Sequence, residues 1–271
     1  MKFAPMNKTH QMKKYIILSI LMFVADLGTY AQSTHSAFGP GEKLSYKVYY
    51  SLFKLQAGTA TFEIKETLKK VNGRDCYNIV GVGKTTDAAD MFFMVRDHYE
   101  SYMDAESLMP WRFVRVVNEG GFKFDDFIRF DPIAKTAVSK RSKDQTHQLP
   151  ENFHDVLTAL YYFRTIDWNQ AYPQQIFQID IFLDDKIYAG GVKYLGKETI
   201  KTDMGKFKCI KLQPNVISGN VFKENAKMVL WVTDDENRIP IRIESDIVVG
   251  SVKADLTEYA NIKNAFTSRI K

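Results

Sequence analysis

Val229 to Val249 reads V-L-W-V-T-D-D-E-N-R-I-P-I-R-I-E-S-D-I-V-V. Two runs of alternating apolar residues flank a polar loop, which is the pattern of a β-hairpin. The pattern occurs twice. Tyr102, Asp104, Glu106, Pro110 and Arg112, within Tyr99 to Val117, fall opposite Val232, Asp234, Glu236, Pro240 and Arg242 at a constant offset of 130 residues, and Gly120 and Gly250 keep it. A repeated hairpin at this spacing reads as a β-rich domain over 38–263 made of two related halves, about 42–141 and 172–260.

Working outward, Leu44, Tyr46, Val48 and Tyr50 alternate with polar or exposed-side residues, then Ala57-Gly58 reads as a turn into a strand holding Ala60, Phe62 and Ile64. Asn72-Gly73 supplies the pair of positive φ angles that a two-residue hairpin needs, and a strand from Asp75 to Lys84 follows. Three strands joined by short turns make an antiparallel meander. In the second half, Phe177 to Leu183, Val192 to Ile200, Phe207 to Leu212 and Ser251 to Tyr259 read as strands, with a turn at Asp184-Asp185 and a loop from Pro214 to Asn225. About ten to twelve strands result, enough for a strongly curved antiparallel sheet or a partly open barrel.

Two stretches break the alternation. Asp87 to Val95 reads as a helical turn or two with Asp87 at its N-cap, and its Met91-Phe92-Phe93-Met94 run is either a plug that closes one end of the sheet or a greasy lip; apolar clusters are usually core, which favours the plug. Residues 152–166 form the one amphipathic helix, with Asn152 as N-cap, Asp155 in the first turn, and Phe153, Val156, Leu157, Leu160 and Tyr161 on one stripe. That stripe needs an apolar partner, and the concave face of the sheet provides one.

Lys8, Lys13 and Lys14 precede an apolar run from Tyr15 to Ala25 and a small-residue site at Thr29-Tyr30-Ala31, the pattern of a signal peptide over 1–31. Cleavage near Ala31 would leave a periplasmic or secreted protein without a transmembrane segment. It would also remove Lys2, Lys8, Lys13, Lys14 and Asp26, lowering the net charge from +5 to +2, so the basicity does not argue for nucleic acid. Cys76 and Cys209 sit just after turns in near-equivalent strands, and read as two buried thiols in preference to a disulfide.

Nothing in the chain earns a catalytic assignment. The histidines lack metal-ligand spacing, so no metal or cofactor is expected. His154-Asp155 has no nucleophile turn to complete a triad, and a lone histidine there reads as a surface or capping residue. The acidic pairs around Asp104 and Asp234 read as turn formers more readily than as Ca²⁺ ligands or a hydrolase pair. The aromatic load is the informative feature: Tyr46, Tyr50, Phe62, Phe124, Phe130 and Trp231 fall on expected inward faces, where they fill a barrel or line a cavity.

G-E-K-L-S-Y-K-V-Y-Y, A-G-T-A-T-F-E-I, D-V-L-T-A-L-Y-Y-F-R, G-K-E-T-I-K-T-D-M-G-K-F-K-C-I-K-L-Q-P and W-V-T-D-D-E-N-R-I-P-I-R-I-E-S, in that order from Gly41 to Tyr259, resemble the exported bacterial family known as domain of unknown function 3108. The resemblance implies an envelope protein of unassigned activity. A curved antiparallel sheet with a helix in its concavity is similar, at the level of fold alone, to periplasmic lipoprotein carriers. The reading that follows is a non-enzymatic carrier of an apolar, lipid-like ligand, with Tyr46, Tyr50, Phe62, Phe92, Phe93, Leu157, Tyr161 and Trp231 as ligand-binding residues. The alternative is a scaffolding envelope protein acting through a protein partner, with an envelope hydrolase third.

Overall fold

In the computed structural model the duplicated hairpin is present in both halves. Its first copy is β5 (Arg96–Asp104) and β6 (Pro110–Glu119), its second β14 (Met228–Thr233) and β15 (Pro240–Asp246). In each copy the proline opens the return strand and the next residue is squeezed out of register: Met103 opposes Pro110 and Tyr102 opposes Arg112, while Val232 opposes Pro240 and Trp231 opposes Arg242. The loops close alike, with Asp104 N–H donating to Met109 C=O and Thr233 N–H to Ile239 C=O, both at 2.9 Å. Leu108 and Arg238, 130 residues apart, share the left-handed conformation with φ of 62° and 46°. The offset fails in one respect. The second loop is a residue longer, so Tyr102 corresponds to Trp231 rather than to Val232, and a slip of one residue turns a side chain to the other face.

The structure describes residues 37–51, 55–143, 145–214, 227–247 and 250–270, which lie in the compact unit His35–Lys271. The expected signal peptide and most of the expected loop from Pro214 to Asn225 fall outside the described residues. The remaining strands are β1 (Lys43–Tyr50), β2 (Leu55–Ile64), β3 (Lys69–Val71), β4 (Arg74–Thr85), β7 (Phe122–Asp131), β8 (Thr136–Ser139), β9 (Thr146–Gln148), β10 (Phe153–His154), β11 (Ile176–Leu183), β12 (Lys186–Thr202), β13 (Gly205–Pro214), β16 (Ser251–Ala260) and β17 (Arg269–Ile270). Five of the seventeen strands among the described residues have four residues or fewer and were invisible to periodicity. The other twelve meet the expected number.

The ladder runs from β9 through β8, β7, β6, β5, β4 and β2 to β1, then through β16, β15, β14, β13, β12 and β11 to β10. All pairings are antiparallel except that of β10 with β11. The result is one large, strongly curved sheet that does not close into a barrel, since β9 and β10 are not paired with each other. Side chains bridge the two ends. Phe182 on β11 lies against Phe130 and His147 at ring distances of 5.9 and 5.4 Å, and the β11–β12 turn holds Asp184 against Arg115 and Arg141 and Asp185 against the Ser139 hydroxyl. Asn72-Gly73 has the expected pair of positive φ, and the expected turn at Asp184-Asp185 has one as well.

Three boundaries differ from the sequence reading. Ala57-Gly58 is inside β2, not a turn; a Cβ on Gly58 would sit 2.5 Å from the Lys84 carbonyl oxygen, so the glycine marks a close backbone approach. Helix α1 (Asp87–Asp90) is capped by Thr86, whose hydroxyl accepts from Ala89 N–H, and not by Asp87. Helix α2 (Val156–Phe163) is shorter than 152–166, because Asp155 rather than Asn152 is the N-cap, in a capping box with Thr158, and Phe153 is spent on β10.

Helix α2 lies in the bend. Leu157 and Tyr161 pack with Ile79, Met103, Phe113 and Ile128 of strands β4 to β7 on one side and Phe182 of β11 on the other. Just past the helix, Trp168 covers Val192, Tyr194, Leu212 and Leu230. Cys76 and Cys209 are buried free thiols in equivalent positions, opposite Asp104 and Thr233, and burial pushes each up to about 12.

Candidate functional site

The Met91-Phe92-Phe93 run is not a plug. These side chains are 85, 78 and 48% exposed. The rule that apolar clusters are core fails here because α1 has only four residues, none of them buried, and delivers the run to the end of the sheet instead of into it. Around it, at the same end, stand Leu55 at the start of β2 and Phe122 at the start of β7, 65 and 53% exposed.

The loops that carry this rim are tied down. Thr86 N–H donates to Ala57 C=O at 2.9 Å, which sets α1 against the start of β2. Asp90 accepts from the Thr85 hydroxyl and from the Arg96 guanidinium; that guanidinium and that hydroxyl hold its carboxyl below the usual range. Beyond the run, Gly120 N–H donates to Met94 C=O at 2.8 Å and Val95 pairs with Glu119. Phe93 crowds Gly120 so closely that a Cβ there would sit 2.5 Å from its ring. The segments that carry these groups also hold charges of both signs, Asp87, Asp90 and Glu119 with Lys84, Arg96 and Lys123.

The sequence-predicted residues divide into three groups. Tyr46, Phe62, Leu157, Tyr161 and Trp231 lie in the interior, with Phe62 touching the clusters of both Leu157 and Tyr46. Trp231 belongs to the cluster of Tyr46, Phe207 and Ile241 and points away from its neighbours Leu230 and Val232, which pack with Trp168. Its indole N–H donates to Glu198, and the Lys211 ammonium sits 5.2 Å from its ring. Phe92 and Phe93 are on the rim. Tyr50 instead borders a half-open cleft of about 890 Å³ with Tyr49, Lys201, Arg242, Lys253 and Asp255. Phe130 is buried as expected, whereas Phe124 lies half-buried between the guanidinium groups of Arg115 and Arg141.

Sequence reasoning missed the buried polar centre. Arg164, the C-cap of α2, is 2% exposed and makes a two-pronged ion pair with Glu42, 0% exposed, at 2.6 and 2.8 Å. It also donates to Asn237 C=O and Ala37 C=O, each at 3.0 Å, and lies over the rings of Phe38 and Tyr161. Tyr46 donates its hydroxyl to Pro240 C=O nearby at 3.0 Å. One guanidinium thereby joins the lead-in, β1, α2 and the β14–β15 loop. The only sequence signal was a charged residue closing an apolar helix.

The candidate catalytic groups serve structure. Asp155 accepts from Leu157 N–H, Thr158 N–H and the Ser101 hydroxyl, and burial pushes its carboxyl up to about 6 despite those bonds. His154 is buried against Tyr162 rather than at the surface, and burial pulls it down to about 3, so it stays neutral. Burial raises Asp104, yet bonds from Arg74, Ser107 N–H, Trp111 and Glu106 N–H outweigh it and hold the carboxyl well below the usual range. Asp235 accepts from Asn237 N–H and Ser268 N–H, and Asp234 pairs with Lys197. Among the described residues no three His, Cys, Asp or Glu side chains are grouped to hold a metal, and no helix is long and apolar enough to cross a membrane.

A family model described as "Protein of unknown function (DUF3108)" matches residues 45–257. No curated protein matches the chain. Among solved structures, the β-barrel-like DUF1849 protein of Brucella abortus is 13% identical with a TM-score of 0.55, over 84% of this chain and all of that one. A presumed exported protein of YmcC-like fold from Bacteroides fragilis, 13% identical over 83% of this chain and all of its own, has a TM-score of 0.37. A presumed lipoprotein from Parabacteroides distasonis, 12% identical over 84 and 98% of the two chains, has a TM-score of 0.36. At these identities the Brucella protein speaks for the fold alone.

Proposed function

The chain belongs to the DUF3108 family of proteins of unknown function, and on that premise we propose that it is a non-enzymatic envelope protein that works by contact, presenting its apolar rim to an apolar patch on a protein partner. The observation that carries this reading is the exposure of Leu55 and Phe122 at the starts of β2 and β7, and of Met91, Phe92 and Phe93 on a connector that backbone bonds hold in place. A soluble protein rarely exposes contiguous large apolar groups unless they are covered in use. Methionine and phenylalanine with charges of both signs on the same segments is the composition of a protein interface. Location outside the cytoplasm is part of the proposal and rests on the leader pattern of residues 1–31.

A carrier of lipid-like ligands would need room inside. Helix α2 occupies the bend, and the rings of Phe38, Tyr161, Phe130 and Phe182 are in mutual or neighbouring contact there, so an acyl chain would enter only if the helix withdrew. The half-open cleft has a charged lining that does not suit such a ligand.

Site-specific photo-crosslinking in cells tests the proposal. A photoreactive residue at position 92 should give one defined protein adduct, while one at Leu68, 40% exposed and far along the strands from the rim, should not. Equal or absent adducts at both positions would reject it. A lipid mass in native mass spectra of protein from an envelope fraction, without a protein adduct, would restore the carrier.

A further inference from the structure

The half-open cleft of about 890 Å³ is built where the sheet bends over itself. Its floor is a patch of one sheet face, on which side chains stand in rows across the strands. Asp255 of β16 lies between Arg242 of β15 and Lys47 of β1, and one step along the same face Lys253 lies between Glu244 and Tyr49. Beyond these, Asp246 N–H donates to Lys227 C=O at 3.0 Å and brings those two residues together. The facing wall is the tip of the β12–β13 hairpin, Lys201 to Asp203, tied to the floor by the Arg242 guanidinium, which donates to Lys201 C=O at 3.3 Å. The volume is within the range of about 300–1,000 Å³ that small-molecule sites occupy.

The charges of the lining decide what fits. Lys201, Lys227, Arg242 and Lys253 are balanced by Asp203, Glu244, Asp246 and Asp255. Arg242 holds Asp255 by two bonds of 2.5 and 2.8 Å, and the Lys253 ammonium is 3.2 Å from the same carboxylate. An anion drawn to any of these cations would meet a carboxylate beside it, and a cation the reverse, so neither gains a net attraction. An apolar ligand would strip water from all of them. A neutral ligand rich in hydroxyls meets no repulsion. Each hydroxyl can donate to a carboxylate oxygen and accept from a neighbouring ammonium or guanidinium, in charge-assisted bonds. The pairing of Arg242, Lys253 and Asp255 also fixes those groups before a ligand arrives, so less freedom is lost on binding. Tyr49 and Tyr50 add ring surface of the kind on which the C–H face of a sugar lies.

We infer that this cleft is a binding site for an uncharged oligosaccharide. Asp255, Arg242 and Lys253 form its hydrogen-bonding floor, and Lys201 and Asp203 close over the ligand from the hairpin tip. Because the cleft is half-open, a chain longer than the floor can lie along it. The site adjoins the apolar rim at Tyr50, which opposes Leu55 across β1 and β2, but it shares no residue with the rim and does not depend on the contact function.

An array of uncharged, acidic and basic oligosaccharides, probed with the purified protein, tests the inference. Uncharged members should be retained in preference to both charged classes, and the best of them is then titrated by calorimetry. Lys201→Ala and Asp203→Ala change exposed side chains that form no ion pair among the described residues, so both variants should melt with the wild type. Each should weaken binding about tenfold, the effect of losing one bond to a charged group. Phe92→Ser, on the rim, should bind as the wild type does. Retention of no uncharged glycan, preference for a charged class, wild-type affinity in both hairpin-tip variants, or loss of binding in Phe92→Ser would each overturn the site. Glycan binding intact with no protein adduct at position 92 would reject the contact function and leave the cleft standing.

Discussion

At the scale of single residues, the decisive groups are polar ones that the fold had to bury. Removing one partner of a buried ion pair strands the other charge, at a cost of about 3–5 kcal/mol. Glu42→Gln should therefore lose about that much in urea unfolding, with Arg164 left facing Asn237 and Ala37 carbonyls alone; a loss below about 1 kcal/mol would show that the pair does not hold the elements together. Asp155 gives a signed prediction. Its raised carboxyl contributes stability below the ordinary value of 3.8 and loses it as the pH rises towards about 6. Asp155→Asn keeps a capping oxygen without the charge, so its stability should be flat over that window, whereas Asp155→Ala should cost about 1–2 kcal/mol for the cap alone. Urea midpoints at pH 4 and 7 check both. None of this was legible from pattern, because periodicity ranks residues by polarity and a buried arginine reads as a helix end.

Elements were read more securely than their limits. The twice-used hairpin was legible because proline, the turn residues and alternation fall at one spacing, and the structure repeats even the left-handed residue two positions before each proline. The extra loop residue was not legible: a common offset for Asp104 and Asp234 looked like equivalence, while the backbone aligns Asp104 with Thr233. Helix limits shifted for a related reason, since Asn152 and Asp155 both make good caps and only the pairing of β10 with β11 decides between them. The glycines of β2 and β4 separate turn formers from close-approach residues. Gly58→Ala should cost about 1–3 kcal/mol, because its Cβ meets backbone that has nowhere to move. Gly83→Ala, with open space around it, should be neutral or slightly stabilising. Equal melting temperatures for the two variants would contradict that reading of Gly58.

For the whole molecule, the order of strands was foreseeable as a curved meander, but the way its ends meet was not, because β8, β9 and β10 are too short to show a period. The exposed rim was only the second reading of Met91 to Met94, behind the plug, for the opposite reason: apolar residues carry no label that says whether a loop takes them in or out. The unpaired ends give the sheet a weak place. Elsewhere among the described residues neighbouring strands share backbone ladders, whereas β8 and β9 meet β11 and its turn through Phe182 and Asp185. Local opening follows the regions held by fewest cooperative bonds. Phe182→Ala removes a 1% exposed ring and should cost about 3–5 kcal/mol if the seam belongs to the global unit, and less if the seam opens by itself. The strand order favours the second outcome. In native-state exchange with low urea, the amides of β9 and β10 in Phe182→Ala should open while the β4–β5 ladder stays protected. Loss of both sets at one urea concentration would mean that the bent sheet behaves as a closed barrel, and that side chains and the short link 149–152 unite its ends as firmly as a ladder does.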